Sequence, residues 1–259
     1  MRTSIVCGVK DRGEHLAISL ASWLARPEVD EVLLVDWSST VPVASDDPRV
    51  VIARVEGQPH WSASRCHNLG LLLSAGGLVL RLDADDVLHD DFFARHPFKE
   101  DEIPPFYFVN QELARDDNET HLAGVVYARR CDFLAVGGYN ERIEVYGYED
   151  TDLVLRMAAR SFDCRFVDLD TLHHLPHDEG TRFVNQPAAK FEDLHRRFGD
   201  SGGWSYKLLG KGDKAIVANK MIAERAPWST QDRKARWDVR AVGVSGGRFN
   251  RFVCEEVTT

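Results

Sequence analysis

Leu78-Val79-Leu80-Arg81-Leu82 runs directly into Asp83-Ala84-Asp85-Asp86, and this stretch decides the fold. An apolar run of strand length that ends in carboxylates puts acidic side chains at a strand's carboxyl end, which is the ligand-binding edge of an open α/β sheet. Two carboxylates held within about 4–6 Å repel, so one takes up a proton unless a cation neutralises the pair. A divalent metal does so and leaves coordination positions for the oxygens of a nucleotide diphosphate. In an extended segment Asp83 and Asp85 point one way and Asp86 the other, which makes Asp86 a structural residue facing away. An acidic turn that ends a strand and starts a helix at Asp90-Asp91 is the commoner origin of a bare D-x-D pattern. The surrounding residues must therefore decide.

Upstream, short β-branched runs at 4–9, 31–35, 50–55 and 78–82 alternate with helical patterns at 14–25 and 62–74. That alternation predicts an α/β fold with a mostly parallel central sheet and helices on both faces. Asp11, Asp36 and Asp83 each fall just past an expected strand end, so they should collect along one edge. Neither G-x-G-x-x-G nor G-x-x-x-x-G-K-[ST] occurs, which disfavours dinucleotide and P-loop chemistry. Downstream, strands are expected at 106–109, 124–128 and 165–169, and helices at 132–136, 151–159 and 188–198. From Gly199 the chain turns glycine-rich, and residues 200–259 read as an appendage to a domain spanning 1–199, itself divided into a nucleotide-binding half (1–105) and an acceptor half (106–199).

The chain's 259 residues can bury a sizeable core, and 44% apolar with 28% charged residues is the composition of an ordinary globular protein. The longest uncharged apolar stretch, 69–80, is too short and too glycine-interrupted to span a bilayer, and the N-terminus carries no signal peptide, so a cytoplasmic location is expected. Five cysteines without a C-x-x-C pair argue against a zinc ribbon or a disulfide framework. The net charge of −9 divides into −14 over residues 1–203 and +5 over 204–259. A solvated face accounts for that basic end; contact with phosphates is the sharper reading.

Two further segments carry chemistry. Gly137-Gly138-Tyr139-Asn140-Glu141 and Tyr146-Gly147-Tyr148-Glu149-Asp150-Thr151-Asp152 place a glycine turn and aromatics ahead of an acidic helix start. Capping explains such acids structurally, whereas a carboxylate at a cleft mouth can act as a general base beside aromatic faces that stack on sugar. His173-His174-Leu175-Pro176-His177 sets three histidines in five positions after an expected strand, and imidazole mixed with carboxylate suits manganese or a similar ion.

Taken in order, these motifs resemble the GT-A fold, nucleotide-diphospho-sugar transferases, and in particular the catalytic domain of the β-1,4-galactosyltransferases. Val9-Lys10-Asp11-Arg12-Gly13-Glu14-His15-Leu16 is similar to the family's F-R-N-R-x-E-H-L segment. Trp61 to Gly70, with Arg65 and Asn68-Leu69-Gly70, resembles its N-x-G helix; Asp83-Ala84-Asp85 resembles its D-V-D. Gly138-Tyr139 through Asp152 aligns with the G-F…W-G-G-E-D-D-D block, and His174 falls where the family has a metal-binding histidine. The likeness spans roughly residues 4–180. Three departures stand out: Tyr146 replaces a tryptophan that closes over the donor, Tyr148 replaces a glycine, and Thr171 lies near the position of a metal-binding methionine.

The resemblance implies a metal-dependent glycosyltransferase that moves a sugar from a nucleotide sugar, a UDP-sugar above all, to an acceptor hydroxyl of a carbohydrate or another molecule. It implies that Gly8, Val9, Lys10 and Arg12 line the nucleotide, that Asp36 accepts from uracil, and that Arg65 offers charge to the base or diphosphate. Ala84, Tyr146 and Gly147 join that donor site. Asp85 and His174 coordinate Mn2+ (or Mg2+), Asp83 contacts ribose or metal, Asp150 acts as the base of an inverting displacement, and Glu149 holds the acceptor. The GT-A fold also contains retaining enzymes with a similar acidic block. Three rival readings remain: a transferase acting on a modified base in DNA through the basic end and Trp204, Trp228 and Trp237; a sugar-nucleotide-binding protein without turnover; and a nucleotidyltransferase.

Overall fold

A computed structural model describes residues 1–99, 103–160, 163–177, 186, 188–198, 211–225, 228–229, 232, 235–245 and 248–257. The chain opens with β1 (Thr3–Val9), α1 (Gly13–Leu24), β2 (Val29–Trp37), β3 (Val50–Val55), α2 (Ala63–Leu73) and β4 (Leu78–Arg81). It continues through β5 (Asp86–Leu88), the single turn α3 (Phe92–Arg95), β6 (Pro105–Phe108), β7 (Val126–Arg129), α4 (Arg130–Ala135) and α5 (Glu149–Ala158). The last elements are β8 (Asp163–Phe166), β9 (Leu172–His174), α6 (Ala188–Phe198), α7 (Lys211–Arg225), β10 (Trp237–Ser245) and β11 (Arg248–Glu256).

Nine strands form one sheet in the order β10-β11-β3-β2-β1-β4-β7-β6-β8. The neighbours β11-β3, β3-β2, β2-β1, β1-β4 and β6-β8 are parallel, while β10-β11, β4-β7 and β7-β6 are antiparallel. The mostly parallel α/β sheet is the GT-A architecture expected.

Side-chain alternation on β1 explains why both faces are covered. Ile5, Cys7 and Val9 pack with Leu16 and Trp23 of α1, whereas Val6 packs with Cys66 and Leu69 of α2 on the other side. Gly70 lets α2 approach closely, since a Cβ there would stand 2.4 Å from Val6 Cγ1. Every cysteine is free, as expected, and Cys7, Cys66 and Cys254 are buried. Among the described residues no helix is long and apolar enough to cross a membrane.

The segment 200–259, read from sequence as an appendage, supplies two strands of the central sheet. β11 runs parallel to β3, with Arg251 opposite Ile52 and Cys254 opposite Val55. Cys254, Trp237 and Phe252 belong to the same core cluster as Trp37 and Val55. Glycines and arginines in this segment hide the alternation of a strand with one wet face, which is why its sheet role is faint in the sequence.

Candidate active site

β4 ends at Arg81, and the chain bends through residues 83–85 before β5 begins at Asp86. The Asp83 amide donates to Asp86 Oδ2 at 2.8 Å, closing this turn by a side chain. Strand alternation therefore fails at Asp83–Asp86, and Asp86 does not face away. It is fully buried, with Oδ1 3.4 Å from His174 Nδ1. A two-stranded sheet makes that contact: β5 pairs antiparallel with β9, and Asp86 lies opposite His174.

Asp85 stands beside two imidazoles, 3.2 Å from His177 Nε2 through Oδ2 and 3.8 Å from His174 Nδ1 through Oδ1. Asp85, His174 and His177 each offer one ligand atom, all within 4.8 Å of one another. Two further imidazoles enclose the group: the His121 ring lies 5.1 Å from that of His174, and His15 lies 6.2 Å from His177. His174 Nε2 is buried without a hydrogen-bond partner among the described residues, an arrangement that suits a ligand to a cation. Carboxylate plus two imidazoles is a donor set for manganese and later divalent ions.

The electrostatics of the cluster fit this role. Burial pushes the Asp86 carboxyl up to about 7, with Asp83 and Asp85 adding to the rise against the hydrogen bond from His174. Burial would also raise Asp85, but the hydrogen bond from His177 and the charges of His174 and Arg12 hold it below the usual carboxylate range. His174 rises despite burial because Asp86 and Asp85 face it. Thr171, near the position where the resemblance has a methionine, is fully buried and its hydroxyl donates to the Asp168 carbonyl at 2.6 Å. His177, one of three histidines the sequence left open, completes the cluster instead.

Arg81 forms the other half of the site. Its guanidinium is buried and binds Asp83 twice, at 2.8 and 3.0 Å, so Asp83 and Asp85 turn to different partners. Nη2 also lies 2.8 Å from Nε2 of the buried His67, which burial and the Arg81 charge keep neutral, and Nη1 lies 3.9 Å from Asp150 Oδ1. Gly124 makes room: a Cβ there would stand 1.6 Å from Arg81 Nη1. Glu149 and Asp150 form the first turn of α5, where the helix dipole favours negative charge. Burial nevertheless pushes Glu149 up to about 8, aided by the Asp150 charge. Burial lifts Asp150 to about 6, with Arg81 opposing and Asp83 adding to the rise. Neither Glu149 Oε2 nor Asp150 Oδ1 has a hydrogen-bond partner among the described residues.

The expected nucleotide edge divides differently. A Cβ on Gly8 would stand 2.6 Å from both Trp61 Cη2 and Cys66 Sγ, so the glycine admits these side chains, and Val9 and Ala84 are core residues. Lys10 is buried with Nζ donating to the carbonyls of Trp37, Ser38 and Gln58, joining the ends of two strands rather than reaching out for phosphate. Asp36 is likewise enclosed: it is fully buried, and its carboxylate accepts from the Ser39 and Val43 amides and from Arg54 at 2.6 Å. Arg65 is held by Glu256 of β11 at 3.0 Å. Arg12, at the start of α1, adds positive charge near Asp85. Tyr146 packs against the cluster formed by Val145, Leu194, Ala215 and Ala218, and Gly147 has φ +99°.

Two of the three tryptophans offered for DNA stacking are used internally. Trp228 is buried with Nε1 donating to the Gly137 carbonyl, and Trp237 packs edge-on against Trp37; Trp204 lies outside the described residues.

Residues 106–178 match a family model described as the N-terminal domain of galactosyltransferase, a span holding Glu149, Asp150, His174 and His177. No curated protein matches the sequence. Among solved structures, the catalytic domain of Drosophila β1,4-galactosyltransferase 7 in complex with xylobiose superposes with a TM-score of 0.56 at 12% identity, covering 99% of this chain and 94% of that one. A mutant of the same Drosophila enzyme in complex with manganese, UDP-Gal and xylobiose superposes with a TM-score of 0.56 at 11% identity, covering 100% and 95%. The chain thus has the GT-A fold of these galactosyltransferase structures and, over residues 106–178, resembles the galactosyltransferase family.

Proposed function

We propose that the chain moves a hexose from a UDP-sugar to a carbohydrate hydroxyl in a manganese-dependent single displacement that inverts the anomeric centre. One relationship carries the reading. A carboxylate-imidazole cluster around Asp85 and an Asp150 oxygen with no hydrogen-bond partner among the described residues are linked through Asp83 and Arg81. Asp85, His174 and His177 would hold the metal, which would supply charge to offset that developing on the departing diphosphate. Asp150, lifted to about 6, is ionised at neutral pH and takes the proton of the acceptor hydroxyl. The acceptor oxygen bonds to the anomeric carbon as the bond to UDP breaks, and the electron pair leaves with the diphosphate. Glu149, lifted to about 8, keeps its proton at neutral pH and donates a hydrogen bond to the acceptor. Asp83 stays with Arg81 and orders the donor side. A reducing compartment such as the cytoplasm suits five cysteines that form no disulfide.

Nucleotide sugars screened with Mn2+ against candidate acceptors, with the product's anomeric configuration read by NMR, test the proposal. Wild type should transfer with inversion, Asp85→Ala should lose the metal-dependent activity, and Asp150→Asn should lose about 10²–10⁴-fold in rate. Retention of configuration, or full metal-dependent activity of Asp85→Ala, rejects it.

A further inference from the structure

α7 lies beyond the segment that matches the galactosyltransferase family model, yet one of its side chains governs the approach to α5. Asn219 is fully buried and sends Nδ2 to three successive carbonyls, those of Val145, Tyr146 and Gly147, at 3.2, 3.2 and 2.7 Å. Two amide protons shared among three acceptors fix the direction of three peptide planes at once. The segment has little freedom to settle elsewhere. Gly147 holds a left-handed φ of +99°, and a Cβ there would stand 2.5 Å from Cγ1 of Ile216, one turn before Asn219 on the same helix. Val145 and Tyr146 pack with Ala215 and Ala218 of α7. Tyr148 follows at φ +75°, a conformation costly for a non-glycine residue, and α5 begins at once with Glu149 and Asp150.

We propose that Asn219 is a positioning residue of the transfer site: it fixes the backbone of residues 145–147 and so sets where α5 presents Asp150 to the acceptor. The proposal rests on the reading of Asp150 as the base. Asn219 touches neither donor nor acceptor in this scheme. Its effect is exerted wholly through the start of α5.

A double-mutant cycle tests it. Single-turnover transfer from UDP-sugar is measured for wild type, Asn219→Ala, Asp150→Asn and the double variant, alongside Mn2+-dependent UDP binding by each. Displacing a catalytic group by about an ångström costs roughly 10²-fold in rate, so Asn219→Ala should lose on that order while its UDP affinity holds. In the Asp150→Asn background the same substitution should cost little more, because the group it positions is gone. Where the alanine variant does not fold, Asn219→Ser keeps a hydroxyl donor in the site and should show the same non-additivity. Losses that add fully, or a wild-type rate in Asn219→Ala, overturn the proposal. Wild-type turnover by Asp150→Asn instead overturns the assignment of the base and this inference with it.

Discussion

Arg81 Nη1 stands 3.9 Å from Asp150 Oδ1 while the same guanidinium grips Asp83. One buried cation thus serves the carboxylate beside the metal cluster and the carboxylate at the start of α5. Burial lifts Asp150 to about 6, and Arg81 is the main influence pulling it down. A base works when ionised, so transfer should rise with pH through about 6. Arg81→Met removes the lowering charge and should move that acid limb to higher pH. It should also destabilise the fold by about 3 kcal/mol, the lower end for a broken buried pair because Asp83 is partly exposed. A pH-rate profile of both proteins decides the matter, and an acid limb that stays in place removes Arg81 from the account.

Metal choice follows from the donor set. Imidazole nitrogen binds first-row transition ions with affinity that rises from Mn2+ towards Zn2+, and mixed with carboxylate it still holds Mn2+, whereas Mg2+ prefers oxygen ligands and gives up water reluctantly. With His174 and His177 supplying two of three donors, Mn2+ should support activity and Mg2+ should do so poorly. His177→Ala should weaken Mn2+ binding at least about tenfold, since even outer partners of a site contribute that much. Electron paramagnetic resonance of free Mn2+ reads this directly. Unchanged binding by His177→Ala would move the third ligand elsewhere.

How much of this was legible in the sequence depends on chain separation. β3 at Val50–Val55 and α6 at Ala188–Phe198 occupy the expected ranges because β-branched runs and helical spacing are local signals. β5 and β9, three residues each, are too short for periodicity, so the pairing of Asp86 with His174 has no local signature, and strand alternation alone points Asp86 away from it. Lys10 and Asp36 lie at the expected strand ends, but carbonyls and amides from neighbouring loops occupy them. Arg65 meets Glu256 across 191 residues of chain, and no local pattern announces such a contact. Arg81 did leave a trace, a lone charge inside an apolar strand run, which only a buried partner can explain.

Asp36 offers a clean separation of structure from binding. Its carboxylate ties the loop after β2 to Arg54 of β3 and accepts two backbone amides. Asp36→Asn weakens the ion pair and replaces one acceptor oxygen by a donor, which should cost about 1–3 kcal/mol in denaturant unfolding. Mn2+-dependent UDP affinity of the folded variant should match wild type. Selective loss of UDP binding without loss of stability would restore Asp36 to the nucleotide.

The titration of the site also predicts how stability varies with pH. Asp150, Asp86 and Glu149 have folded-state values lifted to about 6, 7 and 8, so between pH 4 and 8 these three carboxyls bind more protons in the native chain than in the unfolded one, outweighing the buried His67 and His96, whose lowered values act in the opposite sense. Stability therefore falls as pH rises through this window. His174, also raised, has the same sign: its contribution is present below its unfolded value and is lost as pH passes the folded one. Asp85 is lowered, so its contribution is lost only under more acidic conditions. Metal-free protein should thus melt at a lower temperature at pH 8 than at pH 5.5. Mn2+ needs deprotonated ligands and offsets the crowded negative charge, so the Tm gain at saturating Mn2+ should be larger at pH 8 than at pH 5.5. Thermal melts with and without Mn2+ at the two values measure both effects, and a metal-free Tm that climbs from pH 5.5 to 8 would contradict the burial of these carboxyls.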